Sequence, residues 1–176
     1  LRPYHKSLSQ AVAGIAMLQR ARIIADYQFG RGSGKALFPD GTSYRLSRTR
    51  RLRFLFFGEE RIATLRASDG LFTLSILGAS ILHDHLPFPR LRAVVSKEAS
   101  PFVAKGGNAF ARHIVDVDPM IRAGDEVLVV DEDDALLATG KAVLSPLEML
   151  QIRRGVAVSV RSGAMKGDIT ESQRSG

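Results

Sequence analysis

Cysteine is absent from the 176 residues, and that absence excludes disulfides, thiolate metal sites and cysteine nucleophiles together. It is compatible with a reducing compartment or a hot habitat. No run approaches the roughly 18–20 unbroken apolar residues of a membrane span. The opening residues, Leu1 to Lys6, lack the apolar core of a signal peptide. A cytoplasmic chain with no membrane partner is therefore expected. Also missing is any acid, base and nucleophile in a signature spacing: His5 and His113 stand alone. His83-Asp84-His85 looks metal-like, but at a helix end the two imidazoles diverge and no third ligand is signalled nearby. Asp131 to Asp134 lacks the ligand alternation and closing Glu of a calcium loop and reads as a solvated turn. No catalytic residue, metal or cofactor is expected, and the chain is not expected to be an enzyme.

What is present is an ordinary globular composition, 45% apolar and 24% charged, with a positive charge that is unevenly placed. Residues 1–90 hold 14 Lys+Arg against 6 Asp+Glu, a balance of +8, whereas residues 91–163 hold 9 against 10. Long-range attraction for a polyanion must come mainly from the first half. Arginine supplies 19 of the 25 cations, which suits bidentate phosphate contacts and stacking on bases, though genome base composition can leave the same mark.

Along the chain, Leu8, Val12, Ile15 and Leu18 predict a helix from Ser7 to about Tyr27 with its apolar stripe on a sheet. Asp26 to Pro39 reads as a Gly-rich loop and invites a nucleotide-binding reading, but a phosphate loop needs Gly at position 29 and Ser or Thr at 36. Those positions are Phe29 and Ala36. After the turn at Asp40-Gly41, Tyr44 to Phe57 reads as strand and carries Arg45, Arg48, Arg50, Arg51 and Arg53. Strict alternation would send Leu52, Phe54 and Phe56 to the core and Arg51 and Arg53 outward. Two readings remain open for this stripe: a solvated edge strand protected by charge, or a set of phosphate contacts. Turns at Gly58-Glu59 and Ser68-Asp69-Gly70 complete a β-meander. A short helix over Ser75 to Leu86 should lie on it, and Pro87 to Arg90 is a stiff linker.

Residues 91–163 read as one small barrel. Leu91 to Ser96 is a short apolar strand, and Gly106 and Gly107 permit positive φ and close backbone approach to a ligand. Glu126 to Val130 fits a strand buried on both faces, and Gly140 within the returning strand suggests a bulge. Ser145-Pro146-Leu147-Glu148 is a capping-box helix start. Val156, Val158 and Val160 alternate inward, with Arg161 outward.

At Pro101-Phe102-Val103, Gly106 to Phe110, Asp118, Ile121-Arg122, Gly124 to Val127, Ala138 to Ala142, Glu148-Met149 and Gly155 to Val158 the chain resembles the PUA domain. The resemblance is to the version found in archaeal proteins and at the C-terminus of archaeosine tRNA-guanine transglycosylase. The preceding half is similar to the pre-PUA domain of the same proteins at Asp26 to Gly30, Leu37-Phe38-Pro39, Ser47-Arg48, Ala63 to Arg66, Asp69 to Leu71, Gly78-Ala79 and Pro89-Arg90. Nothing corresponds to that enzyme's catalytic barrel or zinc cysteines, so its activity does not carry over. The implied architecture is α+β. A pre-PUA domain with an antiparallel meander and helices spans 1–90, a mixed β pseudobarrel spans 91–163, and a flexible tail spans 164–176.

The implied role is noncatalytic binding of structured RNA, tRNA or rRNA, in RNA modification or ribosome biogenesis, with a tRNA acceptor end as the target the resemblance suggests. The alternative is an RNA-binding or protein-interaction subunit of a separate tRNA-modifying enzyme. Arg45, Arg48, Arg50, Arg51 and Arg53 would track phosphates. Lys105, Gly106, Gly107, Asn108, Phe110 and Arg112 would fit RNA shape, with Arg153, Arg154 and Arg161 at the rim. Against these stand blander roles: Phe110 as a core residue of the first barrel helix, and Arg153-Arg154 as a solvated charge pair.

Overall fold

A computed structural model describes residues 3–166, with side chains for residues 11–165. The chain forms two compact units, Leu1–Thr73 and Leu74–Gly176.

In the first unit, α1 (Pro3–Phe29) is followed by α2 (Ser33–Leu37). Of the stripe expected to be buried, Val12 and Ile15 are each 63% exposed, Leu18 is half-buried and the Leu8 side chain lies outside the described residues, while Ala21, Ala25 and Phe29, four residues apart, are fully buried. Small side chains let this end of the helix approach its neighbours closely, so packing overrides the apolar periodicity nearer the start. Gly30, at φ 115°, ends the helix in a conformation that L side chains resist.

The meander is present as β1 (Ser43–Leu46), β2 (Leu52–Phe57), β3 (Glu60–Leu65) and β4 (Phe72–Leu74), neighbours in that order. Its alternation differs from the expected one. Arg45 pairs with Phe54 and Leu46 with Leu52, so Arg53 is an extra residue bulged from β2. Leu52 and Leu55 consequently both point inward, and Phe54 and Phe56 turn to the opposite face at half burial. The Gln28 side chain closes the sheet at β4, donating to Phe72 O at 2.8 Å and accepting from Phe72 N at 2.7 Å. It substitutes for both halves of a ladder pair.

The second unit contains α3 (Ile76–His85), β5 (Arg92–Val95), α4 (Ser100–Ala104), β6 (Ala109–Phe110), β7 (Ile114–Val117), β8 (Glu126–Val130), β9 (Leu136–Ala142), α5 (Pro146–Gln151) and β10 (Val156–Gly163). Ser75 caps α3 by accepting from Gly78 N. This helix is grouped with the second unit, not with the meander on which its sequence position suggested it would lie. The strands run β6-β10-β9-β8-β5-β7. The β5–β8 pair is parallel and the others antiparallel, which makes a mixed, nearly closed pseudobarrel. Val95, Val103, Val127, Val129, Met149 and Val158 fill its core. As expected, β8 is buried along its whole length and Ser145 and Glu148 form a reciprocal capping box.

Gly140 has a different role from the one its sequence suggests. The register slips on β10, where Val160 pairs with Gly140 and Ser162 with Thr139, so the bulged residue is Arg161. A Cβ on Gly140 would run into the Ser159 carbonyl; glycine is there to admit the bulged strand. Of the expected tail, Ala164–Lys166 form a 3-10 turn, and residues 167–176 lie outside the described residues.

Candidate nucleic-acid interface

The five predicted site arginines of the first unit separate into three places. Arg48 and Arg50 occupy the exposed β1–β2 turn. That turn is held by Arg50 N to Ser47 O (2.9 Å), Ser47 N to Arg51 O (2.8 Å) and Arg51 N to Ser47 Oγ (3.2 Å). Arg50 adopts φ 56°, a left-handed conformation uncommon outside glycine and asparagine. Arg51 and Arg53, with Arg20 and Arg66, surround a cavity of about 220 Å³ that also exposes Ser47 and Thr49. The bulge aims Arg53 toward it, where Nη1 donates to Leu65 O at 3.5 Å. Arg66 is paired with Asp69 at 2.7 Å. Arg45 lies on the opposite face beside Phe56. Among the described residues, none of the five predicted arginines makes an ion pair with a carboxylate.

The predicted barrel residues are brought together more tightly. Gly106, at φ 97°, makes the turn after α4, and Lys105 is exposed beside it. Gly107 lacks the positive φ expected of it; the Phe102 ring lies where a Cβ would be, so a larger residue would displace that ring. Asn108 Oδ1 accepts from Val160 N at 3.0 Å, fastening the loop to β10. Phe110 lies on β6, half-buried, and not in a helix. The Arg112 guanidinium is 5.9 Å from the Phe110 ring centre, and its Nε donates to His113 Nε2 at 3.0 Å. Phe102, Asn108, Phe110, Arg112, His113 and Glu98 bound a cavity of about 210 Å³. That is below the roughly 300–1,000 Å³ of sites for whole small molecules. Its chemistry is aromatic and mixed-charge, suited to one planar ring with hydrogen-bonding edges. Glu98 on its wall disfavours a phosphate there.

The remaining predicted residues stand apart from this cluster. Arg153 and Arg154 are exposed in the segment between α5 and β10. Arg161 is committed inward, donating through Nη1 to the fully buried carboxylate of Glu126.

Sequence reasoning missed Arg92. It is 1% exposed, donating to Asp134 Oδ1 (3.2 Å), Arg90 O (2.8 Å) and His83 O (2.7 Å). His83 in turn meets Asp134 O through Nε2 at 2.7 Å. The His-Asp-His segment and the acidic turn are therefore parts of a structural lock around a buried guanidinium. No group of three or more potential metal ligands exists among the described residues, and no helix there is long and apolar enough to cross a membrane.

Comparison with known proteins agrees with this architecture. Residues 19–89 match the patch-forming domain C2 of tRNA-guanine transglycosylase, and residues 92–164 match the PUA domain. The tRNA-guanine(15) transglycosylase of Methanothermobacter thermautotrophicus is 46% identical over 92% of this chain, and that of Pyrococcus abyssi 49% identical over 82%. The chain spans about a quarter of the length of these relatives, 25% and 24%. Among solved structures, a hypothetical protein of Pyrococcus horikoshii superposes with a TM-score of 0.66 at 23% identity, covering 85% of this chain and 90% of that one. A conserved PUA domain protein of Thermoplasma acidophilum superposes at 0.55 and 22% identity, covering 81% and 89%. The chain thus belongs with the C2 and PUA domain pair, similar to the C-terminal region of archaeal tRNA-guanine(15) transglycosylases.

Proposed function

We propose that this chain is a noncatalytic RNA-binding module for structured RNA, with tRNA as its first ligand, serving RNA modification or ribosome biogenesis. The observation that carries the reading is the set of five arginines, Arg45, Arg48, Arg50, Arg51 and Arg53, left without carboxylate partners among the described residues. Such cations attract phosphate and release counterions on binding, without sequence preference. Lys105, Arg112, Arg153 and Arg154 add exposed cations on the second unit. The cavity beside Phe110 supplies the shape and hydrogen bonding that charge alone lacks.

A second reading is an RNA-binding subunit of a separate tRNA-modifying enzyme; the relatives of which this segment covers about a quarter are named as tRNA-guanine(15) transglycosylases. Affinity capture with and without nuclease separates the two. A partner that survives nuclease supports the subunit, and one lost with the RNA supports the RNA-binding module. Fluorescence anisotropy with a tRNA transcript tests both, since each requires binding.

A further inference from the structure

We propose that the outer face of the β1–β3 sheet is a stacking platform for unpaired RNA bases. The inference rests on the RNA-binding reading and names the part of the RNA that this face takes.

Cross-strand partners share a face of a sheet, so the register assigns the members. Arg45 pairs with Phe54, Phe54 with Thr64 and Phe56 with Arg61, which puts two aromatics and two cations on one side. Tyr44 and Leu55 pair on the other side, where the Tyr44 hydroxyl lies 3.7 Å from the Cβ position of Gly14 in α1. The aromatic face is thus the one turned away from α1. The bulge at Arg53 causes this exposure: without it Phe54 and Phe56 would alternate with Leu52 into the core.

Each ring carries cations. The Arg45 guanidinium lies 4.8 Å from the centre of Phe56, and Arg53 and Arg61 lie 5.7 and 5.9 Å from that of Phe54. The two rings are 6.5 Å apart and tilted by 56°, which makes two separate platforms. A shallow groove of about 470 Å³ runs between them, lined also by Leu46. A guanidinium on a ring presents a second planar, cationic surface on which a nucleobase stacks while the adjoining phosphate is neutralised. Duplex RNA hides its base faces, so the occupant is a loop, bulge or end with splayed bases. Arg45 and Arg61 pair with no carboxylate among the described residues, so charge complementarity favours a polyanion over a protein surface.

The test uses the full chain, a hairpin RNA with an unpaired loop carrying 2-aminopurine, and a blunt duplex of equal phosphate number. The variant Phe54→Leu with Phe56→Leu keeps apolar volume and removes the aromatic faces; Arg45→Gln with Arg61→Gln leaves the rings in place. Thermal unfolding establishes that each is folded. The leucine pair is expected to weaken the hairpin by about 5- to 100-fold, to leave the duplex within about twofold, and to abolish the change in 2-aminopurine fluorescence on binding. The glutamine pair should also weaken the hairpin more than the duplex. Equal loss on both RNAs overturns the proposal in favour of simple charge. Unchanged binding of both by the leucine pair overturns it too and leaves the face to a protein partner. In either case wild-type binding remains, so the RNA-binding reading stands or falls separately.

Discussion

Arg161 reaches from β10 across β9 to the buried carboxylate of Glu126 on β8, at the point where β10 carries an extra residue. Thr139 of the intervening strand donates to the same oxygen at 3.3 Å. The bulge therefore turns an outward-facing arginine into a clamp over three strands. Removing it takes the cation from a buried carboxylate that keeps the Leu74 amide and Thr139 hydroxyl as donors. Arg161→Ala is expected to destabilise the chain by about 2–4 kcal/mol, somewhat below the cost of breaking a fully buried pair because the arginine side chain is 37% exposed. Denaturant unfolding of Arg161→Ala, Glu126→Gln and the double variant measures the coupling. Additive effects would contradict the clamp.

Three glycines predict contrasting outcomes. An added Cβ at Gly140 meets the Ser159 carbonyl, and one at Gly34 meets the backbone of Arg22. Backbone cannot swing aside, so Gly140→Ala and Gly34→Ala should each cost about 1–3 kcal/mol or more. At Gly107 the obstacle is the Phe102 ring, whose residue is 56% exposed and free to move. Gly107→Ala should cost less than about 1 kcal/mol, yet displace Phe102 from the cavity and lower discrimination between RNAs. Unfolding midpoints and competition binding separate the two classes.

The Gly-rich segment should bind neither ATP nor GTP. Gly34 N, one of the amides a phosphate would need, already donates to Asp26 Oδ1 at 2.7 Å, and that carboxylate repels an anion. Calorimetry with either nucleotide should show no micromolar binding; binding that is lost in Lys35→Ala would contradict this.

Much of the barrel was legible because its instructions are local. The capping box at Ser145–Glu148 and the apolar run of β8 each specify backbone within a few residues. The buried state of Arg92 was not legible, since its partner Asp134 is 42 residues away in what reads as a solvated turn. Nor was the inversion of Phe54 and Phe56, which depends on a single bulge with no glycine to mark it. The arginine cluster was visible as composition. Its division among the turn, the cavity and the outer face required the register.

Glu148 sets an acid dependence. Hydrogen bonds from the Ser145 backbone and hydroxyl hold its carboxyl below the ordinary glutamate range. A depressed folded value means the stabilisation is present above the unfolded value and disappears as pH falls through the folded one. Wild type should therefore lose α5 capping only in acid, while Glu148→Gln, which can still accept at the cap, should lose that part of the pH dependence. Carboxyl titration by NMR alongside acid unfolding measures it, and identical acid profiles for the two proteins would contradict the assignment.

The central claim is that the β1–β2 arginines supply sequence-independent phosphate contacts. The most direct measurement is the salt dependence of tRNA affinity for wild type and for Arg48→Ala, Arg50→Asn, Arg51→Ala combined, with asparagine chosen because position 50 is left-handed. Loss of three phosphate contacts should flatten the log-log slope by about 2 to 3 and weaken all RNAs alike. A folded triple variant that binds with an unaltered slope would show the turn to be a solvated edge and contradict the account.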